Sequence, residues 1–298
     1  METLPACPIC ASSVPPALFR SIPDHSVSKA VFAVVDCSAC GFRYTNPRPP
    51  ASDIGRYYAS PDYISHTNSR TTFRDRLYQF ARRHTIRSKH HLIRTYRPNG
   101  RVLDIGCGTG EFLAYLSSRG YQVEGVEPNL EARERAIANY SLPVLPSLHA
   151  VQSLEQFQIV TMWHVLEHLH DLRGTLKKVH AISDENALLI IAVPDRDSWD
   201  AEYYDTWWAA YDVPRHLYHF RRQDVARLLH EHGFELLDTR RMWLDAYYVS
   251  MLSEQYRGAH MAMAFIKSLV IGTRSALRSL FGRRSTSSTL FLARKAKI

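Results

Sequence analysis

The stretch RVLDIGCGTGEFLAYL, residues 101–116, restricts the fold of this chain more than any other. Val102 to Ile105 read as an apolar strand that runs into Gly106, Gly108 and Gly110. A helix follows, with Phe112, Leu113 and Leu116 on its inner side. Glycines at such a turn let a ligand approach the backbone, and the helix N-terminus offers free amides to it.

The rest of the chain continues the alternation. QVEGVEP (122–128), Gln158 to Met162, Ala187 to Val193, Phe234 to Met242 and Leu290 to Ala293 read as strands, and Leu172 to Ile182 and Gln223 to His232 as helices. This order predicts an α/β fold, a doubly wound, mostly parallel seven-stranded sheet with its ligand outside the strands' carboxyl ends. The expected division is a small N-terminal ribbon at 1–48, a linker and lid helix at 49–97 and the sheet domain at 98–298. Within the last lie an aromatic insert at 199–220 and a basic amphipathic helical insertion at 255–288.

A lone GxGxG run is shared by dinucleotide enzymes and many tight turns. Glu127 narrows the choice, because an acidic side chain ending the second strand can accept hydrogen bonds from both ribose hydroxyls of an adenosine cofactor. With LDIGCGTG at 103–110, the chain resembles the class I S-adenosylmethionine-dependent methyltransferases, in their ubiquinone-biosynthesis O-methyltransferase-like branch. The resemblance implies S-adenosylmethionine over the 106–110 loop, with Asp104, Gly106, Gly108, Gly110, Glu127, Met162 and Trp163 around it. Tyr63 and His66 of the Pro- and Tyr-rich linker would fold over it. Many relatives carry an acidic residue for the adenine amino group after the third strand, where this chain reads LPSLHAV.

At 161–171 the chain reads TMWHVLEHLHD, at the end of the fourth strand. A helix starting near Val165 would place His164, Glu167 and His168 on one face. Such a face can cap and solvate the helix, provide a general base in His164 or His168, or hold a divalent metal. The related O-methyltransferases, like small-RNA 2′-O-methyltransferases, carry a metal-ligating Glu-x-x-Glu-His run here, and the small-RNA enzymes add a distant His. Carried over, this implies Glu167 and His168 with His216 or His219 from VPRHLYHF. His164 stands where the first Glu of the run would be, which softens the site toward transition metals. His216 is a further catalytic candidate, and Arg215 could receive an anionic group of the acceptor. The aromatic insert, with Trp199, Tyr203, Tyr204, Trp207, Trp208 and Tyr211, suits either ordinary packing or an acceptor wall.

Cys7-Pro-Ile-Cys10 and Cys37-Ser-Ala-Cys40 are two CxxC knuckles, spaced so that both thiolates of each can reach one tetrahedral zinc. Four ligands close such a site, so a structural role is expected. The net charge of +8 lies in the tail: residues 255–298 hold nine Lys or Arg and no acidic residue, leaving 28 minus 29, or −1, for the rest. Residues 262–281 form a basic amphipathic helix, suited to packing on the protein's own core or to peripheral membrane contact. No apolar leader or spanning run is seen, so a cytoplasmic protein with membrane association as the alternative is expected. The expected activity is O-methylation of a small-molecule or lipid-linked acceptor of sugar or quinone type. Nucleic-acid methylation, sugar C-methylation and a silent cofactor-binding module are the alternatives. A nucleic-acid partner is disfavoured because the first 254 residues are not basic.

Overall fold

The computed structural model describes residues 1–58, 73–152, 156–281 and 285–296, excepting the side chains of residues 73–82 and 281. Tyr63 and His66 lie outside the described residues. The first strands are β1 (Ala17–Pro23), β2 (Val31–Asp36) and β3 (Arg43–Thr45), followed by a long helix, α1 (Phe73–Tyr96). The alternating unit comes next: β4 (Arg101–Ile105), α2 (Glu111–Ser117), β5 (Gln122–Val126), α3 (Leu130–Tyr140), β6 (Val144–Leu145), β7 (Phe157–Trp163), α4 (Leu172–Ile182) and β8 (Ser183–Pro194). The remainder is α5 (Trp199–Tyr204), β9 (Tyr218–His219), α6 (Arg222–Glu231), β10 (Phe234–Arg241), α7 (Trp243–Tyr256), α8 (Met261–Phe281) and β11 (Ser288–Lys295).

Seven strands form one sheet in the order β10-β11-β8-β7-β4-β5-β6, in which β11 runs antiparallel to both its neighbours and the other pairings are parallel. The expected sheet is therefore present, with each expected strand inside it. Val102, Leu103, Ile159, Val160 and the run Leu188 to Val193 are buried, as strands covered on both faces require. Successive crossovers run from β4 outward to β5 and β6, then return past β4 to β7. This reversal opens a crevice at the carboxyl end of β4, where Gly106 begins.

A second sheet, β1-β2-β3-β9, joins the N-terminal strands to a strand from far along the chain. Arg43 pairs with His219 and Tyr44 with Tyr218. The cysteine-bearing segment is thereby hydrogen-bonded to the stretch that follows His216. In the aromatic insert, Trp199, Tyr204, Trp208 and Tyr211 are buried in one apolar cluster, so packing is their role, while Tyr203 and Trp207 are exposed.

Candidate active site

The crevice floor is the glycine loop. Gly106 has φ +75°, and its amide and that of Cys107 donate to the Val126 carbonyl, stitching the loop to the end of β5. A Cβ on Gly106 would lie 2.5 Å from Val165 Cγ2, whereas one on Gly108 would meet nothing within 4 Å among the described residues. The chain is thus tight beneath the loop and open above it. Glu127 reaches across, its carboxylate accepting from the amides of Gly108 (2.9 Å) and Asn129 (2.8 Å).

Asp104 lies under the loop, buried, and accepts from the Thr161 hydroxyl at 2.6 Å. Burial pushes its carboxyl up to about 6 against that hydrogen bond. Trp163 closes one side, edge-on to Phe112, with the Lys89 ammonium of α1 4.0 Å from its ring centroid. Burial pulls Lys89 down to about 8. Met162, expected at the cofactor, is fully buried in the core, in a different apolar cluster from the one that Trp163 packs against.

Beyond β7 no α-helix starts at Val165. His164 takes a left-handed conformation, φ +57°, and Leu166–His168 form a single 3-10 turn. A non-glycine residue in that region is uncommon and marks sites held by their surroundings. Tertiary contacts assemble the expected face all the same. Glu167 is fully buried, and neither of its oxygens accepts a hydrogen bond from a described residue. Its neighbours are His164 Nδ1 at 3.4 Å and His216 Nε2 at 4.0 Å. One ligand atom from each of Glu167, His168 and His216 falls within 4.8 Å of the other two.

The two imidazoles are held alike. His168 Nδ1 lies 3.0 Å from the Arg215 carbonyl and 2.9 Å from the Tyr58 hydroxyl, and His216 Nδ1 lies 2.8 Å from the Ala210 carbonyl. A carbonyl only accepts, so each Nδ1 carries a proton and Nε2 is the ring nitrogen left to face a ligand. Burial, with His216 beside it, pulls His168 down to about 4, so it is neutral. Burial also opposes charge on Glu167, but His164 beside it holds its carboxyl below the usual range.

His164 differs from its neighbours. Its Nε2 is 3.1 Å from Asp245 Oδ2, and despite the cost of burial the carboxylates of Asp245 and Glu167 push it up to about 10. His164 is thus held between two carboxylates.

His219 does not join the cluster. It sits behind His216, with Nε2 3.3 Å from Thr45 Oγ1 and its ring against Tyr211, because the pairing of β9 with β3 turns it into the second sheet. Arg215 is likewise committed: it is buried, ion-paired to Asp24 (2.9 Å) and Asp212 (2.6 Å), and donates to the Tyr57 carbonyl. It therefore ties the β1–β2 connection to the segment bearing His216 and is not open to an anionic acceptor. Asp245, Tyr58 and Lys89 were not legible as site residues. Only the place of Asp245, just past a strand's carboxyl end, pointed to it.

The four sulfurs near the N-terminus also converge. Cys7 and Cys40 Sγ are 3.7 Å apart, and Cys10 and Cys37 Sγ 3.6 Å. A tetrahedral site with Zn–S of about 2.3 Å has edges of about 3.8 Å, so the thiols already have the spacing of its corners. Each knuckle closes with a matching turn, Ala11 N to Cys7 O and Gly41 N to Cys37 O. Although burial opposes it, the amides of Cys40 and Ala39 help to pull Cys37 down to about 7, and burial drives Cys7 well up.

A family described as a methyltransferase domain matches residues 78–239, just over half of the chain. Among curated proteins, the ubiquinone biosynthesis O-methyltransferase of Rhodopseudomonas palustris (strain HaA2) is 28% identical over 160 residues, covering 48% of this chain and 61% of that protein. The enzyme of the same name from Bradyrhizobium diazoefficiens is 33% identical over 103 residues, covering 33% and 41%. The chain thus spans less than two thirds of the length of these relatives.

Among solved structures, the 1,6-didemethyltoxoflavin-N1-methyltransferase of Burkholderia thailandensis aligns at TM-score 0.52 and 15% identity, over 95% of this chain and all of that one. The magnesium protoporphyrin IX methyltransferase of Synechocystis PCC 6803, with bound SAH, aligns at 0.51 and 13% identity, over 81% and 92%. At such identities the likeness is one of fold.

Proposed function

The chain belongs to the methyltransferase-domain family, and from that premise we propose that it moves the methyl group of S-adenosylmethionine to an oxygen of a small-molecule acceptor. S-adenosylmethionine, when bound, supplies an electrophilic methyl group on a sulfonium centre. The chain's own residues fit it: Gly108 leaves open space above the loop, Glu127 stands where ribose hydroxyls donate, and Asp104 and Trp163 border the crevice. The ubiquinone biosynthesis O-methyltransferases among the relatives support oxygen as the accepting atom.

The observation that carries the mechanistic reading is Glu167, a buried carboxylate with no hydrogen bond among the described residues, facing two imidazoles whose Nδ1 atoms are held by backbone carbonyls. The charged His164 beside it is shared with Asp245, so a further cation at the cluster would offset the cost of burying the Glu167 charge. Glu167, His168 and His216 would hold a divalent metal, and two imidazoles with one carboxylate suit a transition-metal ion. Such a metal, when bound, supplies Lewis acidity that lowers the pKa of an acceptor hydroxyl. The backbone carbonyls of Arg215 and Ala210 orient the two rings, and Asp245 holds His164 charged beside Glu167. Cys7, Cys10, Cys37 and Cys40 are assigned to a structural zinc on their sulfur spacing.

Titration with Mn2+, followed by electron paramagnetic resonance, tests the catalytic metal, because a four-thiolate site disfavours that hard cation. The native protein is expected to bind one Mn2+, and Glu167→Gln to bind it at least about a hundredfold more weakly. Equal affinity in the two proteins contradicts the assignment.

A further inference from the structure

The helix α8 is inverted relative to an ordinary surface helix. Its inward positions are Ala264, Ser268, Ile271, Ser275 and Ser279, all buried, and four of the five are small. Its large apolar side chains point outward: Phe265, Ile266, Leu269, Val270, Leu277 and Leu280 are exposed, Ile266 at 57% and Val270 at 59%. The two sets repeat at helical spacing, so this is one continuous stripe and not scattered exposure. Over 21 residues it runs about 30 Å at 1.5 Å per residue.

The stripe continues toward the active site. α7 and α8 form an antiparallel hairpin, with Tyr247 against Gly272 and its hydroxyl 3.2 Å from Thr273 Oγ1. The first turns of α7 therefore lie beside the second half of α8. Those turns expose Trp243, Leu244 and Tyr248, while Asp245 between them holds His164. One element thus carries both the outward apolar face and a wall of the crevice.

Charge decides what covers this face. α8 carries Lys267, Arg274 and Arg278 and no acidic residue; Lys267 is paired with Glu254 of α7 at 2.8 Å, so Arg274 and Arg278 set the charge along its flank. A second copy docked face to face would set basic rim against basic rim, whereas an anionic bilayer complements it. Arg274 and Arg278 hold their guanidinium groups 5.7 and 5.0 Å from the Trp199 ring centroid, at the flank of the stripe. Among the described residues no helix is long and apolar enough to cross a membrane, so the hairpin lies in the interface plane.

We propose that the α7–α8 hairpin docks this protein onto an anionic lipid bilayer through the stripe Phe265, Ile266, Leu269, Val270, Leu277 and Leu280, and that the methyl acceptor is drawn from that bilayer. The second half rests on the methyl-transfer reading above, and the first does not. Co-sedimentation with vesicles of phosphatidylcholine containing 30% phosphatidylglycerol is compared with pure phosphatidylcholine, for the native chain and for a variant carrying Ile266→Glu and Val270→Glu. Both positions are exposed, so the fold is kept, which circular dichroism and S-adenosylmethionine affinity check.

Binding to the anionic vesicles at least tenfold stronger than to neutral ones, and reduced at least tenfold in the variant, is expected. Absence of binding to either vesicle overturns docking, as does equal binding of the variant. A native dimer that the same substitutions dissociate assigns the face to a second copy and equally overturns it. With docking shown, methyl label found in water-soluble acceptors and not in the lipid pool overturns the second half. Because sedimentation reads no methyl transfer, its failure leaves the catalytic reading standing, and loss of S-adenosylmethionine binding by the native chain sinks that reading alone.

Discussion

Single residues divide the crevice into parts that support the fold and parts that face a ligand, and two glycines in one loop separate the roles. Gly106 combines φ +75° with a Cβ position 2.5 Å from Val165, so Gly106→Ala is strained and crowded at once. It is expected to destabilise the protein by about 1–3 kcal/mol, read as a lowered thermal midpoint. Gly108→Ala shares the positive φ but meets open space, so its stability cost is smaller and its main effect is weaker S-adenosylmethionine binding by calorimetry. If both substitutions lower stability equally and leave affinity alone, the space above Gly108 is not the cofactor's. His164 extends the same logic: Asp245→Asn removes one of the two carboxylates that hold its charge, and its imidazole pKa by NMR is expected to fall.

Elements explain how distant segments meet. The strands and the glycine turn could be read from periodicity and motif because a parallel sheet buried on both faces leaves an uninterrupted apolar signature, as in Ala187 to Val193. The helix expected at Val165 could not be corrected from sequence. The 3-10 turn there is set by His164 in a left-handed conformation and by contacts from segments far along the chain. The same holds for His219 against His216: both stood near the expected metal, and only the pairing of β9 with β3 turned one away.

That pairing, with Arg215 bonded to Asp24, clamps the N-terminal strands to the site. Although burial opposes it, hydrogen bonds from Arg215 and from the 26–28 segment hold the Asp24 carboxyl well below the usual carboxylate range. A depressed folded pKa gives stability that is present above the unfolded value of about 3.9 and is lost as pH falls below it. Native protein is therefore expected to lose stability below about pH 4 more steeply than Asp24→Asn. The variant is less stable by about 3–5 kcal/mol at neutral pH, as for a buried pair stripped of one partner. Urea melts at pH 7 and pH 3 measure both, and parallel pH profiles argue against the clamp.

At the scale of the whole molecule, three pieces meet at one crevice: a wound sheet that presents the glycine loop, a four-cysteine layer that positions His216 through β9, and a helical hairpin that contributes Asp245. The cysteine layer is therefore expected to matter to the site and not only to its own stability. Cys37→Ser should lower the thermal midpoint and weaken Mn2+ binding at Glu167, His168 and His216 together. Unchanged Mn2+ affinity in that variant shows instead that the layer folds without directing the site.

Methyl transfer from S-adenosylmethionine at the Glu167, His168 and His216 cluster is measured with methyl-labelled S-adenosylmethionine offered with cell extract. The extract is separated into lipid, polar and RNA pools and assayed with native protein, with Glu167→Gln, and with native protein whose weakly held metal has been chelated while its thiolate-bound zinc stays in place. Label is expected in a small-molecule or lipid pool from native protein alone, with at least a hundredfold loss in the other two. Label confined to RNA, or transfer that survives both Glu167→Gln and chelation, contradicts it.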